Sequence, residues 1–157
     1  MKTLKRISLA TLVLVMVLTT LLAIPASAVQ DIEYFSSPCG VSTFSGTAYS
    51  YMSSNGSSAN AYTKFSHPDD YHTTSTTVYV NATFWWYPSG SSQSAYRTTS
   101  KNSTASGNFT AQASVNNTGI SGVIFSVEST HTLTTVCNGI AKPQQFKWLC
   151  VGEPAMK

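Results

Sequence analysis

Between residues 76 and 87 the side chains alternate without interruption: Val78, Val80, Ala82, Phe84 and Trp86 fall on one side, and Thr77, Tyr79, Asn81, Thr83, Trp85 and Tyr87 on the other. A period of two sends successive side chains to opposite faces of a strand, so this segment demands β-structure with one face buried. No long segment places apolar residues at helical spacing. Further alternating stretches recur at 41–52, 59–65, 93–100, 108–115 and 120–133, and a last pair flanks Lys142-Pro143-Gln144-Gln145. Clusters such as Ser53-Ser54-Asn55-Gly56-Ser57, Pro88-Ser89-Gly90 and Asn116-Asn117-Thr118-Gly119 separate them with residues that tolerate turn geometry. About seven short strands with turn signals between them predict an all-β chain folded as a single antiparallel β-sandwich, with a small closed β-barrel as the alternative.

The N-terminus has a different character. Lys2, Lys5 and Arg6 precede an apolar run over 9–24, and Pro25 leads into Ala26-Ser27-Ala28, the small residues a signal peptidase reads. Residues 1–28 are therefore expected to form a helical signal peptide that is cleaved, leaving 29–157 as a secreted, extracellular domain. Three of the nine Lys and Arg lie in that signal, and the remaining six balance the six Asp and Glu, so the mature net charge is zero. Nucleic acid and anionic surfaces call for clustered cations, and neither is an expected partner; no membrane association is expected after cleavage. Of the 129 residues from Val29 onward, 39 are Ser or Thr. Interleaved with Val, Tyr, Phe and Trp, they make pleated strands whose outer faces carry hydroxyls.

Three cysteines in an exported chain suggest one disulfide and one leftover thiol. If Pro143 and Gln144 form a hairpin tip, Cys137 falls opposite Cys150, and that pair is the expected disulfide; Cys39 bonded to either is the alternative. The run Thr132-Leu133-Thr134-Thr135-Val136-Cys137 resembles the Thr-Leu-x-Thr-Cys strand of sortases, which are secreted cysteine transpeptidases, and His72 lies upstream as a partner. The resemblance would imply a nucleophilic Cys137. The inserted Val136 turns Cys137 to the opposite strand face, and Arg97, the single arginine after the signal, precedes it, so the oxyanion-stabilising arginine has no counterpart.

Other chemistry is sparse. His67-Pro68-Asp69-Asp70-Tyr71-His72 collects imidazoles and carboxylates at a spacing that fits no strict metal motif, and no metal or other cofactor is expected. Glu128 and His131 are a conceivable acid and base pair, expected on a solvated strand segment, but a glycosidase needs two carboxyl groups flanking the bond. No Gly-x-Ser-x-Gly elbow is present. Catalysis, as a hydrolase or transpeptidase, is therefore a minor reading, and no catalytic residues are assigned. Gly40-Val41-Ser42 and Ala48-Tyr49-Ser50-Tyr51, within a small Ser/Thr/Tyr-rich chain, loosely resemble lactococcin-type bacteriocins, which implies a secreted antimicrobial protein as an alternative. The leading expectation rests on the stripe that alternation exposes. Tyr79, Trp85 and Tyr87 with Asn81 offer flat aromatic faces beside polar groups, suited to carbohydrate or a bacterial cell surface.

Overall fold

A computed structural model describes residues 28–36, 39, 45–67, 73–106 and 109–153. Apart from Ala28, the expected export signal lies outside these residues, as do Pro68 to His72 of the histidine and aspartate loop. The described strands are β1 (Val29–Tyr34), β2 (Ser45–Met52), β3 (Ala59–His67), β4 (Thr73–Pro88), β5 (Ala95–Ala105), β6 (Phe109–Asn116), β7 (Gly122–Cys137), β8 (Ile140–Ala141) and β9 (Gln145–Gly152). Every pairing is antiparallel. One sheet has the order β1-β2-β3-β6; in the other β5-β4-β7-β8 run in order and β9 also pairs with β7.

The two sheets face each other as a sandwich, not a closed barrel, and two strands extend the predicted set. β1 escapes the alternation test because it is a short edge strand, exposed at five of its six positions, so neither of its faces carries an apolar signature. β8 is too short to read. Side chains, not a continuous backbone ladder, join the sheets at their lateral seams. On one side Lys147 Nζ meets Glu33 Oε2 at 3.0 Å, and the Gln145 amide exchanges hydrogen bonds with the backbone of Ser36. On the other the Arg97 guanidinium donates to the carbonyl of Thr118.

The core is asymmetric. The β1-β2-β3-β6 sheet contributes mostly small residues, Ala48, Ala59, Ala61, Ala111 and Ala113, around Phe65 and Val115. The facing sheet supplies Val78, Val80, Phe84, Val127, Leu133, Leu149 and Val151. Small against large lets the layers interdigitate at the density of an ordinary interior. β4 lies where the sequence pattern puts it. Val78, Val80, Ala82 and Phe84 are buried, and the intervening Thr77, Tyr79, Asn81 and Thr83 are not.

Two backbone devices set the outer surface. Asn138 and Gly139 both have positive φ, 49° and 78°, as the two-residue turn that joins β7 to β8 requires, and this turn is where the β7 hairpin closes. A bulge then interrupts the β4–β7 ladder: Trp85 pairs with Ser126 but Trp86 with Ile124, leaving Phe125 as the extra residue. Gly152 sits against that bulge with φ +86°, and a Cβ there would come within 2.1 Å of the Phe125 carbonyl oxygen. Gly152→Ala is expected to destabilise the fold by roughly 2–4 kcal/mol, from the left-handed backbone and the clash together. Urea unfolding measures this directly.

Candidate functional site

The face of β5-β4-β7-β9 turned away from the core gathers the predicted stripe and several residues the sequence does not associate with it. Tyr79, Asn81, Thr83, Trp85 and Tyr87 all lie on this face of β4. Their neighbours are set by register. Tyr96 of β5 stands opposite Trp85, and Thr98 opposite Thr83. Across β7, Ser126 pairs with Trp85, Glu128 with Thr83, Thr130 with Asn81 and Thr132 with Tyr79. Beyond these, β9 places Cys150 opposite Glu128, Trp148 opposite Thr130 and Phe146 opposite Thr132.

The aromatics form two groups. In one corner the Tyr96 ring lies 4.8 Å from Trp85, tilted by 38°, while Tyr87 stacks on the bulged Phe125 at 4.7 Å. Tyr96 is 64% exposed and Tyr87 44%, whereas Trp85 is half-buried and its indole Nε1 has no hydrogen-bond partner among the described residues. In the opposite corner Trp148 and Phe146 are 64% and 63% exposed. Between the corners runs a floor of hydroxyl and amide groups, including the bonded pair Thr83 and Thr98 at 2.9 Å. Exposed rings of this size, grouped on one face, mark interaction surfaces more often than isolated surface aromatics do.

Alternation alone misses Trp148, Phe146 and Tyr96, because membership of this face depends on cross-strand register. The sequence does hold a partial signal: Asn138-Gly139 is a strong short-range hairpin mark. A tip there aligns Trp148 with Ser129, and one extra residue between β8 and β9 then moves it beside Thr130, onto the outer face. The same turn corrects the disulfide. The expected Cys137–Cys150 bond needs a tip near Pro143, but with the turn at Asn138 and Gly139 Cys137 pairs with Ile140, and Cys150 lies across from Glu128. Cys137 is instead bonded to Cys39, with Cα atoms 5.7 Å apart, and Cys150 is the free thiol. Burial raises the Cys150 pKa; the Ser126 hydroxyl opposes that rise, and the Glu128 and Asp31 charges add to it. This thiol is a poor nucleophile, and Cys137 has no thiol to offer.

Glu128 and His131 do not form the solvated pair the sequence suggests. Three positions apart on one strand, they point to opposite faces, and His131 is completely buried. It sits in a hydrogen-bonded chain across the core. Thr63 Oγ1 donates to the carbonyl of Tyr79 at 2.6 Å, so His131 Nδ1–H donates to Thr63 at 2.9 Å. His131 Nε2 then accepts from Ser129 Oγ at 2.8 Å, and Ser129 in turn accepts from Ser50. Burial pulls the His131 pKa down from 6.5 to about 4, only partly offset by a hydrogen bond with the Tyr62 backbone. The neutral imidazole thereby bolts one sheet to the other.

A second aromatic surface covers the outer face of the other sheet. Tyr49 stacks on Tyr62 at 4.7 Å and lies 6.5 Å from Tyr51, and burial followed by these two phenols raises the Tyr49 pKa. Concavities lie where the two sheets meet. One of about 460 Å³ is lined by Arg97, Lys101, Ser114, Asn116 and Thr118, and one of about 600 Å³ by Val29, Met52, Gly56, Val123 and Phe125. Among the described residues there is no grouping of three or more His, Cys, Asp or Glu able to hold a metal, and no helix long and apolar enough to cross a membrane. The chain matches no protein-family model, no curated protein and no solved structure.

Proposed function

We propose that this is a secreted, non-catalytic binding module whose outer β5-β4-β7-β9 face engages carbohydrate at a cell surface. The observation that carries this reading is the placement of exposed Tyr96, Tyr87, Trp148 and Phe146 on one face beside half-buried Trp85, with hydroxyl and amide groups between them. Flat rings cover the apolar faces of sugars, and the interleaved Thr83, Asn81 and Thr130 satisfy sugar hydroxyls. A broad, open face suits a polymer better than a small molecule, which would be held in an enclosed pocket. Export is supported by the disulfide, which persists in oxidising compartments, and by β1 beginning at Val29, the first residue after the expected cleavage. N-terminal sequencing of recovered protein tests the cleavage; a start upstream of Val29 contradicts it.

Binding is tested by retention on insoluble polysaccharide and peptidoglycan. Trp148→Ala and Tyr96→Ala should each weaken retention by about ten-fold or more, because large aromatic rings are the side chains that commonly carry more than 1 kcal/mol of a contact. Both rings are largely exposed, so stability should change by no more than about 0.5 kcal/mol. Retention unchanged in both variants removes this face from consideration. Trp85→Ala is the less clean probe, since it also removes the ring beside Tyr96.

A further inference from the structure

Glu128 is the sole charged residue among the described residues on the outer β5-β4-β7-β9 face. The nearby cations have the other parity: Lys147 pairs with inward-facing His131 and is held by Glu33, and Arg97 and Lys101 pair with inward-facing Phe84 and Val80. No hydrogen bond or ion pair joins Glu128 to another described residue. A glutamate on a central strand is disfavoured, and on a face otherwise built of hydroxyls, amides and rings a threonine would serve packing equally well.

Its position relative to the tryptophans is specific. On β4 Glu128 faces Thr83, and Trp85 is two residues further along; on β9 it faces Cys150, and Trp148 is two residues before it. Both indoles therefore occupy positions diagonal to the carboxylate, at about 7–8 Å, one on each side. From strand spacing and rise the two tryptophan positions are about 17 Å apart, so only an oligomer can touch both while passing over Glu128. A bare carboxylate covered by a ligand needs a charged or strongly donating partner, or its desolvation goes uncompensated. An ammonium group supplies one and is also attracted to the indole faces. An N-acetyl group supplies a single neutral N–H and no charge.

We propose that this face selects a glycan bearing free amino groups, a glucosamine-type amino-sugar polymer, and that Glu128 is the specificity-determining residue. The inference rests on the carbohydrate reading above. The test titrates the purified mature protein with β-1,4-linked glucosamine hexamer and with the fully N-acetylated hexamer, at low salt and at a pH where the amine is charged, following tryptophan fluorescence. The wild type should bind the free-amine hexamer about ten-fold or more tightly than the acetylated one, the expected scale of a charged hydrogen bond, and added salt should narrow the gap. Glu128→Gln should bring the two hexamers to within about two-fold of each other, whereas Trp148→Ala should weaken both, since the ring stacks on either sugar. Equal wild-type affinity for the two hexamers, or a preference that survives in Glu128→Gln, overturns the inference while leaving carbohydrate binding in place. Failure to bind either hexamer overturns it too; failure also to be retained on any polysaccharide takes the carbohydrate reading with it.

Discussion

Cys39→Ser is expected to lower the unfolding free energy by about 5 kcal/mol, the largest effect of any single substitution considered for this chain. The bond joins residues 98 apart in sequence, ties Cys39, which precedes β2 of one sheet, to the end of β7 in the other, and so closes most of the fold into one loop. Restricting the unfolded chain over that length accounts for the magnitude, and the stabilisation is correspondingly greater than for a short hairpin bridge. Cys150→Ser should cost about 1 kcal/mol or less, since Cys150 is a partly exposed free thiol. Urea unfolding of both variants, with non-reducing peptide mapping of the wild type, checks the pairing. A large loss in Cys150→Ser with little in Cys39→Ser would restore the hairpin bridge.

Acidification should produce the second large effect. His131 has its ordinary pKa of 6.5 in the unfolded chain and about 4 in the folded one. Between those values the unfolded state holds the extra proton, so stability rises with pH across the window and is flat above it. The difference amounts to about 3 kcal/mol, present in full above pH 6.5 and lost by about pH 4. The cause is structural: a charged imidazole would lose the acceptor nitrogen that Ser129 uses and would be enclosed where no carboxylate can reach it. His131→Gln removes the titration, so the urea midpoint should lose most of its dependence on pH in this range while falling at neutral pH. A wild-type midpoint that stays level from pH 7 to pH 4.5 would contradict both the burial and the direction of the shift.

Side-chain alternation is a local property, and its consequences are legible in the residues alone. Residues 76–87 declare a strand because their apolar and polar side chains change place at every step, and that step alone puts Tyr79, Asn81, Trp85 and Tyr87 on a common surface. The all-β sandwich arises from the same cause repeated along the chain. β1 is illegible for the converse reason: as an exposed edge strand it has no buried face to imprint a pattern.

Which strands lie side by side, and in what register, is not local, and the tertiary structure decided everything that depends on it. A two-residue turn at Asn138 and Gly139 moved Cys150 away from Cys137, and one extra residue between β8 and β9 carried Trp148 and Phe146 onto the aromatic face. One extra residue at Phe125 brought its ring under Tyr87. Ser129 and His131 look like solvated strand residues until Ser50 and Thr63 of the facing sheet close over them. The sequence by itself determined which side chains share a face of their own strand, because a pleat has a fixed period. Only the folded molecule determined what each face meets, because turns and bulges set register across strands that are far apart in the chain.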